Sequence, residues 1–262
     1  MSFFTPNDEL LSKALWFMLF FCTHWYGSLF FQSFYLHRFL THGQFAMSVF
    51  WQNVCQVGSF LCSGSSYMSP IAYAKMHTAH HLYADTEQDP HPPKYFSNPI
   101  LYMWHTYIIY GKTLHEGKYA DMARGKGWRQ MEGFDRLARN SFTKIVWVIV
   151  YAWIYVMLFP FCWMTLPFVI PFFLITVLMG PFHGFLVNWC AHKYGYKNPA
   201  YETDDDSRNV IAIDILLLGE WLHRNHHSSK GSYTFALTDK EFDPIGSLIP
   251  LLDYWKVIRL PT

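Results

Sequence analysis

The chain has 262 residues, 52% of them hydrophobic and 20% aromatic, and only 15% are Asp, Glu, Lys or Arg, against about 25% in an ordinary soluble domain. That charge deficit points to a bilayer environment, and a net charge of +1 leaves no overall field for nucleic acid, so no nucleic-acid partner is expected. The five cysteines (Cys22, Cys55, Cys62, Cys162, Cys190) lie in apolar stretches, are odd in number and form no CxxC pair, which argues against a disulfide framework and an iron–sulfur cluster. A mean hydropathy of +0.06 is low for a pure membrane bundle, so a sizeable polar portion is expected outside the lipid.

Ala14 to Leu36 contains no Asp, Glu, Lys or Arg. As a helix it reaches about 34 Å, enough for one crossing of a ~30 Å hydrocarbon core. No basic region precedes it, which argues against a cleaved signal peptide. Gly43 to Ala74 is also uncharged but carries Gln44, Gln52, Asn53, Gln56 and a Ser/Gly patch at Ser63–Ser66. It reads as a helix at the interface or partly re-entrant, with a full crossing as the alternative. Pro90–Asn98 is a loop, and the aromatic-rich Pro99–Tyr110 is expected along the membrane surface. The connector from Lys112 to Lys144 holds Lys112, Lys118, Arg124, Lys126, Arg129, Arg136, Arg139 and Lys144, which the positive-inside rule places in the cytoplasm. Ile145 to Ala191 has no charged residue and is too long for one crossing; Pro160, Pro167 and Pro171 mark its middle, so it reads as a helical hairpin. The expectation is an all-α integral membrane protein of one domain. Membrane segments fall at about 14–36, 145–165 and 168–190, interfacial amphipathic helices at 45–66 and 99–111, and a cytoplasmic, helical, His-rich cap at 67–144 and 192–262.

Histidine carries the chemistry. Three strings stand out among the 14 histidines: His37-Arg-Phe-Leu-Thr-His42, His77-Thr-Ala-His80-His81 and His223-Arg-Asn-His226-His227, with Asn188-Trp-Cys-Ala-His192 as a fourth. On a helix, positions i, i+3 and i+4 share one face, so each HxxHH string can converge on a small volume. The i, i+5 spacing of the first string would splay two side chains by about 140° on an ideal α-helix, so His37 is expected to end the first helix and His42 to follow a turn. Imidazole suits iron, copper or zinc. Nine histidines exceed the needs of one metal, and two ions sharing them would keep positions open.

The boxes, in the order HxxxxH, HxxHH, HxxHH, resemble the integral-membrane fatty-acid desaturases, specifically the Δ9 acyl-CoA desaturase-like branch. Asp85, Asp89-Pro90-His91 after the second box, Asn188-xxx-His192 before the third, and Gly219-Glu220 just ahead of His223 extend the likeness over about residues 15 to 255. The resemblance implies that His37, His42, His77, His80, His81, His192, His223, His226 and His227 bind two iron ions, and that Asn188 holds a metal-bound water. Glu220, Asp85 and Asp89 would orient imidazoles. The resemblance leaves His91 out of the ligand set, and His24, His105, His115 and His183, which match no box, are read as structural. Members of the family have two crossings before the first box and this chain has one, which would put the amino terminus across the membrane from the histidines. Gly43 follows the first box where many members have Arg, and Lys75 stands where acyl-CoA enzymes have an Arg that meets coenzyme A phosphates.

The implied reaction is removal of two hydrogens from unactivated methylenes to give a cis double bond, with dioxygen and two electrons from an external donor such as ferredoxin, rubredoxin or cytochrome b5. The basic connector could dock an acidic donor. Acyl-CoA is the favoured substrate, with an acyl-lipid or acyl carrier protein as alternatives. Trp25 and Leu29, one turn apart on the first helix, are candidates for closing the acyl tunnel and setting chain length. The short form, without fused domains, points to a bacterial cell membrane in preference to the endoplasmic reticulum, with the site facing the cytoplasm. Competing readings are a hydroxylase, acetylenase or decarboxylase of the same superfamily, and a non-catalytic metal-binding or transport protein.

Overall fold

The structure, a computed structural model, describes residues 6–119 and 128–261. Helix α1 (Pro6–Phe30) opens with Asp8 and Glu9 in its first turn, where carboxylates complement the helix dipole, and runs unbroken into a π-helical stretch, Phe31–Thr41. Asp8–Thr41 is therefore one rod of 34 residues, longer than the ~30 Å of hydrocarbon it could cross. Its last turns carry His37. The helix does not end at His37 as expected. In the wider π turn the His42 amide donates to the His37 carbonyl (3.1 Å), so residues five apart stack instead of splaying.

Helix α2 (Val49–Ser63), capped by the Ser48 hydroxyl, runs back along this rod. Close approach occurs where Gly58 meets the Phe31 ring and Gly27 meets Cys62. At 15 residues it is about 22 Å long, short of a crossing. Helix α3 (Pro70–Tyr83) starts on a proline and carries the second box against the π-helical stretch. Helix α4 (Pro99–His115) is capped by Asn98 and extends beyond the expected Tyr110. The connector forms a short helix, α5 (Glu132–Ala138); its Arg124 and Lys126 lie outside the described residues.

Helix α6 (Ser141–Leu158) is the second rod apolar enough to cross a membrane. It lies antiparallel to α1: Phe17 meets Tyr155 and Phe159 in edge-on contacts at 5.1 and 4.9 Å. The expected third membrane segment, about 168–190, is bent in the structure. Helix α7 (Leu166–Val177) and helix α8 (Met179–Phe185), with its π continuation Leu186–Cys190, meet at 91°. Pro181 is the physical cause: it lacks an N–H and its ring crowds the carbonyl of Val177. The freed Val177 carbonyl accepts from the Ser65 hydroxyl (2.7 Å), and the Gly180 amide donates to Ser66 Oγ (3.0 Å). The bend turns α8 away from the bundle axis and carries Asn188 and His192 towards the boxes.

The carboxy-terminal part departs from the expected helical cap. Residues 193–222 form turns, and only α9 (His223–Ser228) and α10 (Pro244–Tyr254) are helical there. Two strands of two residues, β1 (Ala46–Met47) and β2 (Ile258–Arg259), pair antiparallel and pin the end of the chain beside the first box. Arg38 completes the junction. It is fully buried, 3.0 Å from Asp243, donates to the Tyr233 carbonyl (2.6 Å) and lies over the Phe235 ring.

The turn before α9 is built by Asp214. Its carboxylate accepts from the amides of Leu217, Gly219 and Trp221 at 2.8, 3.1 and 2.8 Å. Gly219 sits at φ +97, where a Cβ would collide with the Asp243 carboxylate. A Gly219→Ala protein is expected to lose roughly 1–3 kcal/mol of stability and to misplace Glu220; thermal unfolding of the purified protein measures it.

Candidate metal centre

The three boxes and His192 come together, although His37 and His226 are 189 residues apart. They separate into two adjoining groups. His37, His42, His77, His81 and His226 form one; His80, His192, His223 and His227 form the other; within each group one ring nitrogen per residue lies within 4.8 Å of all the rest. The HxxHH strings do not each serve one group. His77 and His81 join the first group while His80 joins the second; His223 and His227 join the second while His226 joins the first. A helix presents i and i+4 on one line and i+3 beside it, so each string bridges the two groups. Rings of His81 and His227, from different groups, are 4.4 Å apart.

In the first group, Nε2 of His226 lies 2.9 Å from Nε2 of both His37 and His81, and His77 and His81 face each other at 3.0 Å. In the second, the Nε2 atoms of His80, His192, His223 and His227 are buried and without hydrogen-bond partners, as is that of His42 in the first. Buried polar atoms left unpaired are costly, and a cation in each group would satisfy them. Burial, reinforced by neighbouring imidazoles, holds His42, His77, His81, His223 and His226 well below the usual histidine range, which keeps them neutral with lone pairs available. The donor set therefore fits two imidazole-ligated ions.

Four carboxylates stand behind the rings. His37 Nδ1 faces Glu220 at 2.8 Å, His80 Nδ1 faces Asp89 at 3.0 Å, His192 Nδ1 faces Asp85 at 2.8 Å and His227 Nδ1 faces Asp205 at 2.6 Å. An ionised carboxylate only accepts, so Nδ1 carries the proton and Nε2 is left as the donor atom to a metal. Burial alone would raise the carboxyls of Glu220, Asp89 and Asp205, but the imidazoles opposite outweigh it and hold all three low. Glu220 also accepts from the Ser33 hydroxyl. Asp205 was not singled out from the sequence. It is one of three consecutive aspartates, Asp204–Asp206, and that run in a chain so poor in charge was the available signal. Arg38, inside the first box, was likewise missed.

Asn188 donates from Nδ2 to the Gly184 carbonyl (2.9 Å), which leaves Oδ1 buried and unpaired beside the centre. A cavity of about 550 Å³ reaches Asn188, Glu220 and His77. Leu29 lines it; Trp25 does not, and instead packs edge-on to His183 at 4.5 Å with its indole N–H on the Leu216 carbonyl. His183 lines the wall with both ring nitrogens unpaired. His91 also lines the cavity, its ring tilted 34° to that of His80 at 4.5 Å, making a third cluster with His80 and Asp89. Lys75 is half-buried on α3 and is not part of the cavity wall.

A fatty acid desaturase family model matches residues 14–237. The chain belongs to the fatty acid desaturase family. Its members are oxidoreductases acting on fatty-acyl chains, and the two long apolar rods make this chain a membrane member. It is 25% identical over 242 residues to the Delta-9 desaturase-like 2 protein of Arabidopsis thaliana, covering 88% of this chain and 72% of that one. It is 27% identical over 223 residues to an acyl-CoA 5-desaturase of Anemone leveillei, covering 83% and 63%. It is 27% identical over 239 residues to an sn-1 stearoyl-lipid 9-desaturase of Anabaena variabilis, covering 82% and 72%.

Proposed function

We propose that this desaturase introduces a cis double bond into a fatty-acyl chain at a di-iron centre held by its nine box histidines. The observation that carries the reading is the division of nine imidazoles into adjoining groups of five and four at the end of a largely apolar cavity. Two iron ions bound there would supply the oxidising power to break unactivated C–H bonds, using dioxygen and two electrons from an external donor such as ferredoxin, rubredoxin or cytochrome b5. Zinc, which has no redox chemistry, would not serve.

The chain's own residues do the rest. Glu220, Asp85, Asp89 and Asp205 fix the tautomer of four imidazoles and raise their basicity. Asn188, whose Oδ1 is buried and unpaired, would accept a hydrogen bond from a water bound at the second group. Leu29, Met76, Phe185 and Val187 exclude bulk water from the acyl chain and hold its register. The centre sits on the cytoplasmic side, with the amino terminus across the membrane.

The deciding experiment is lipid analysis by mass spectrometry of a host expressing the wild type beside a His80→Ala variant. The expected result is a new mono-unsaturated acyl species in the wild type alone. Added oxygen in place of a double bond would replace this reading with a hydroxylase.

A further inference from the structure

The cavity wall is largely apolar, and several of its polar atoms are already bonded. The Ser65 hydroxyl donates to the Val177 carbonyl (2.7 Å), that of Ser66 to the Ser63 carbonyl (2.8 Å), and that of Ser33 to Glu220. Two lining side chains differ. Gln32 Oε1 and both ring nitrogens of His183 are buried, and among the described residues no hydrogen-bond partner meets them. Gln32 is 9% exposed and His183 0%. The polar groups behind His183 are taken: the Trp25 indole N–H is given to the Leu216 carbonyl, and His24 Nε2 lies 3.0 Å from the Thr176 carbonyl.

Gln32 and His183 share one stretch of wall. Gln32 Nε2 is 4.0 Å from where a Cβ on Gly184, the residue after His183, would lie. Gln32 stands five residues before His37 in the π-helical stretch, and His183 five before Asn188 along α8 and its continuation. Each is therefore a little over one helical turn, roughly 5–8 Å along the axis, from a residue of the centre. A plain hydrocarbon chain passing here leaves buried polar atoms without partners, at a cost for each. A hydroxyl supplies what they lack. It donates to Gln32 Oε1 and accepts from the one N–H of a neutral imidazole, whereas a keto oxygen only accepts.

We propose that the acyl chain this cavity takes carries a hydroxyl group, bound by Gln32 and His183 about one turn from the carbons that are oxidised. This rests on the desaturase reading above and names its substrate class. It concerns the chain alone and is independent of the carrier at the carboxyl end. A site built to hydrogen-bond a substrate hydroxyl rejects the chain that lacks it far more strongly than an apolar pocket rejects a chain of the wrong length.

The test is a competition in cells expressing the protein. They are fed deuterium-labelled octadecanoic acid together with one of its hydroxy isomers, position by position, or with the matching keto isomer. Mass spectrometry then gives, for each chain, the desaturated fraction of the label recovered in total lipid. The expected result is one hydroxy position desaturated at least about tenfold faster than the unsubstituted chain, with the keto isomer well below it. Both chains meet the same enzyme, so the ratio does not depend on how much folded protein is present. Gln32→Leu and His183→Phe should each lower that ratio about tenfold; the wild-type ratio decides the matter even where a variant fails to fold. Equal desaturation of the hydroxy, keto and unsubstituted chains, as a water held between Gln32 and His183 would give, overturns the proposal while leaving the desaturase reading intact. So does a hydroxyl preference that survives both substitutions. No double bond in any of the chains overturns the desaturase reading itself.

Discussion

Replacing His226 with Ala should abolish desaturation and lower bound iron from about two ions per chain towards one. His226 is the ring on which the five-histidine group turns: its Nε2 faces both His37 and His81 at 2.9 Å, and its ring packs 4.4 Å from Phe235. Removing it takes away one donor and opens a void between the first box and α9. Metal analysis of the purified variant, with product analysis of membranes expressing it, checks both parts. A His226→Ala protein that keeps full iron and activity would remove the five-histidine group from the centre.

The second large effect is expected at Asp205. Asp205→Asn keeps the shape of the side chain but removes the charge that faces His227 Nδ1 at 2.6 Å. Carboxylates in this position behind a metal-binding imidazole are worth about 10–100-fold in metal affinity or activity. The expected result is a folded protein that releases iron from the four-histidine group to a chelator more readily by a factor in that range. A purely structural role for Asp205 would lower thermal stability without changing chelator competition in the folded protein. The carboxylate also accepts from the Ser207 amide at 3.0 Å, so the two readouts are needed together.

The histidines themselves were legible, because HxxHH is a spacing that a helix converts directly into a cluster. Their assignment to two groups was not, since it depends on how α3 and α9 face each other, and no local pattern states that. The first box was misread at one point for a definite reason. The i, i+5 spacing is awkward on an α-helix, and the chain answers with a π-helical stretch, a form rare enough that periodicity arguments do not anticipate it. The hairpin after Lys144 was read from composition, and the prolines at 160, 167 and 171 drew attention away from Pro181, which makes the 91° bend. Asp205 escaped because it lies in a turn-rich segment, 22 residues from its imidazole, where neither helical nor strand periodicity says what meets what. The lining of the cavity was the least legible part: Leu29 reaches it and Trp25, one turn away, supports it from behind.

The first and third boxes meet across 189 residues of chain, and that separation sets an order of assembly. Protein chains emerge from the amino terminus at about 5–20 residues per second. The α1 rod and the α6–α8 region are made well before α9 exists. The membrane segments are therefore in place while the first and second boxes still lack His223, His226 and His227. The four-histidine group then holds only His80 and His192, too few to retain an ion. The four-histidine group is therefore expected to load only after the last box has left the ribosome, whereas His37, His42, His77 and His81 of the other group are made before it.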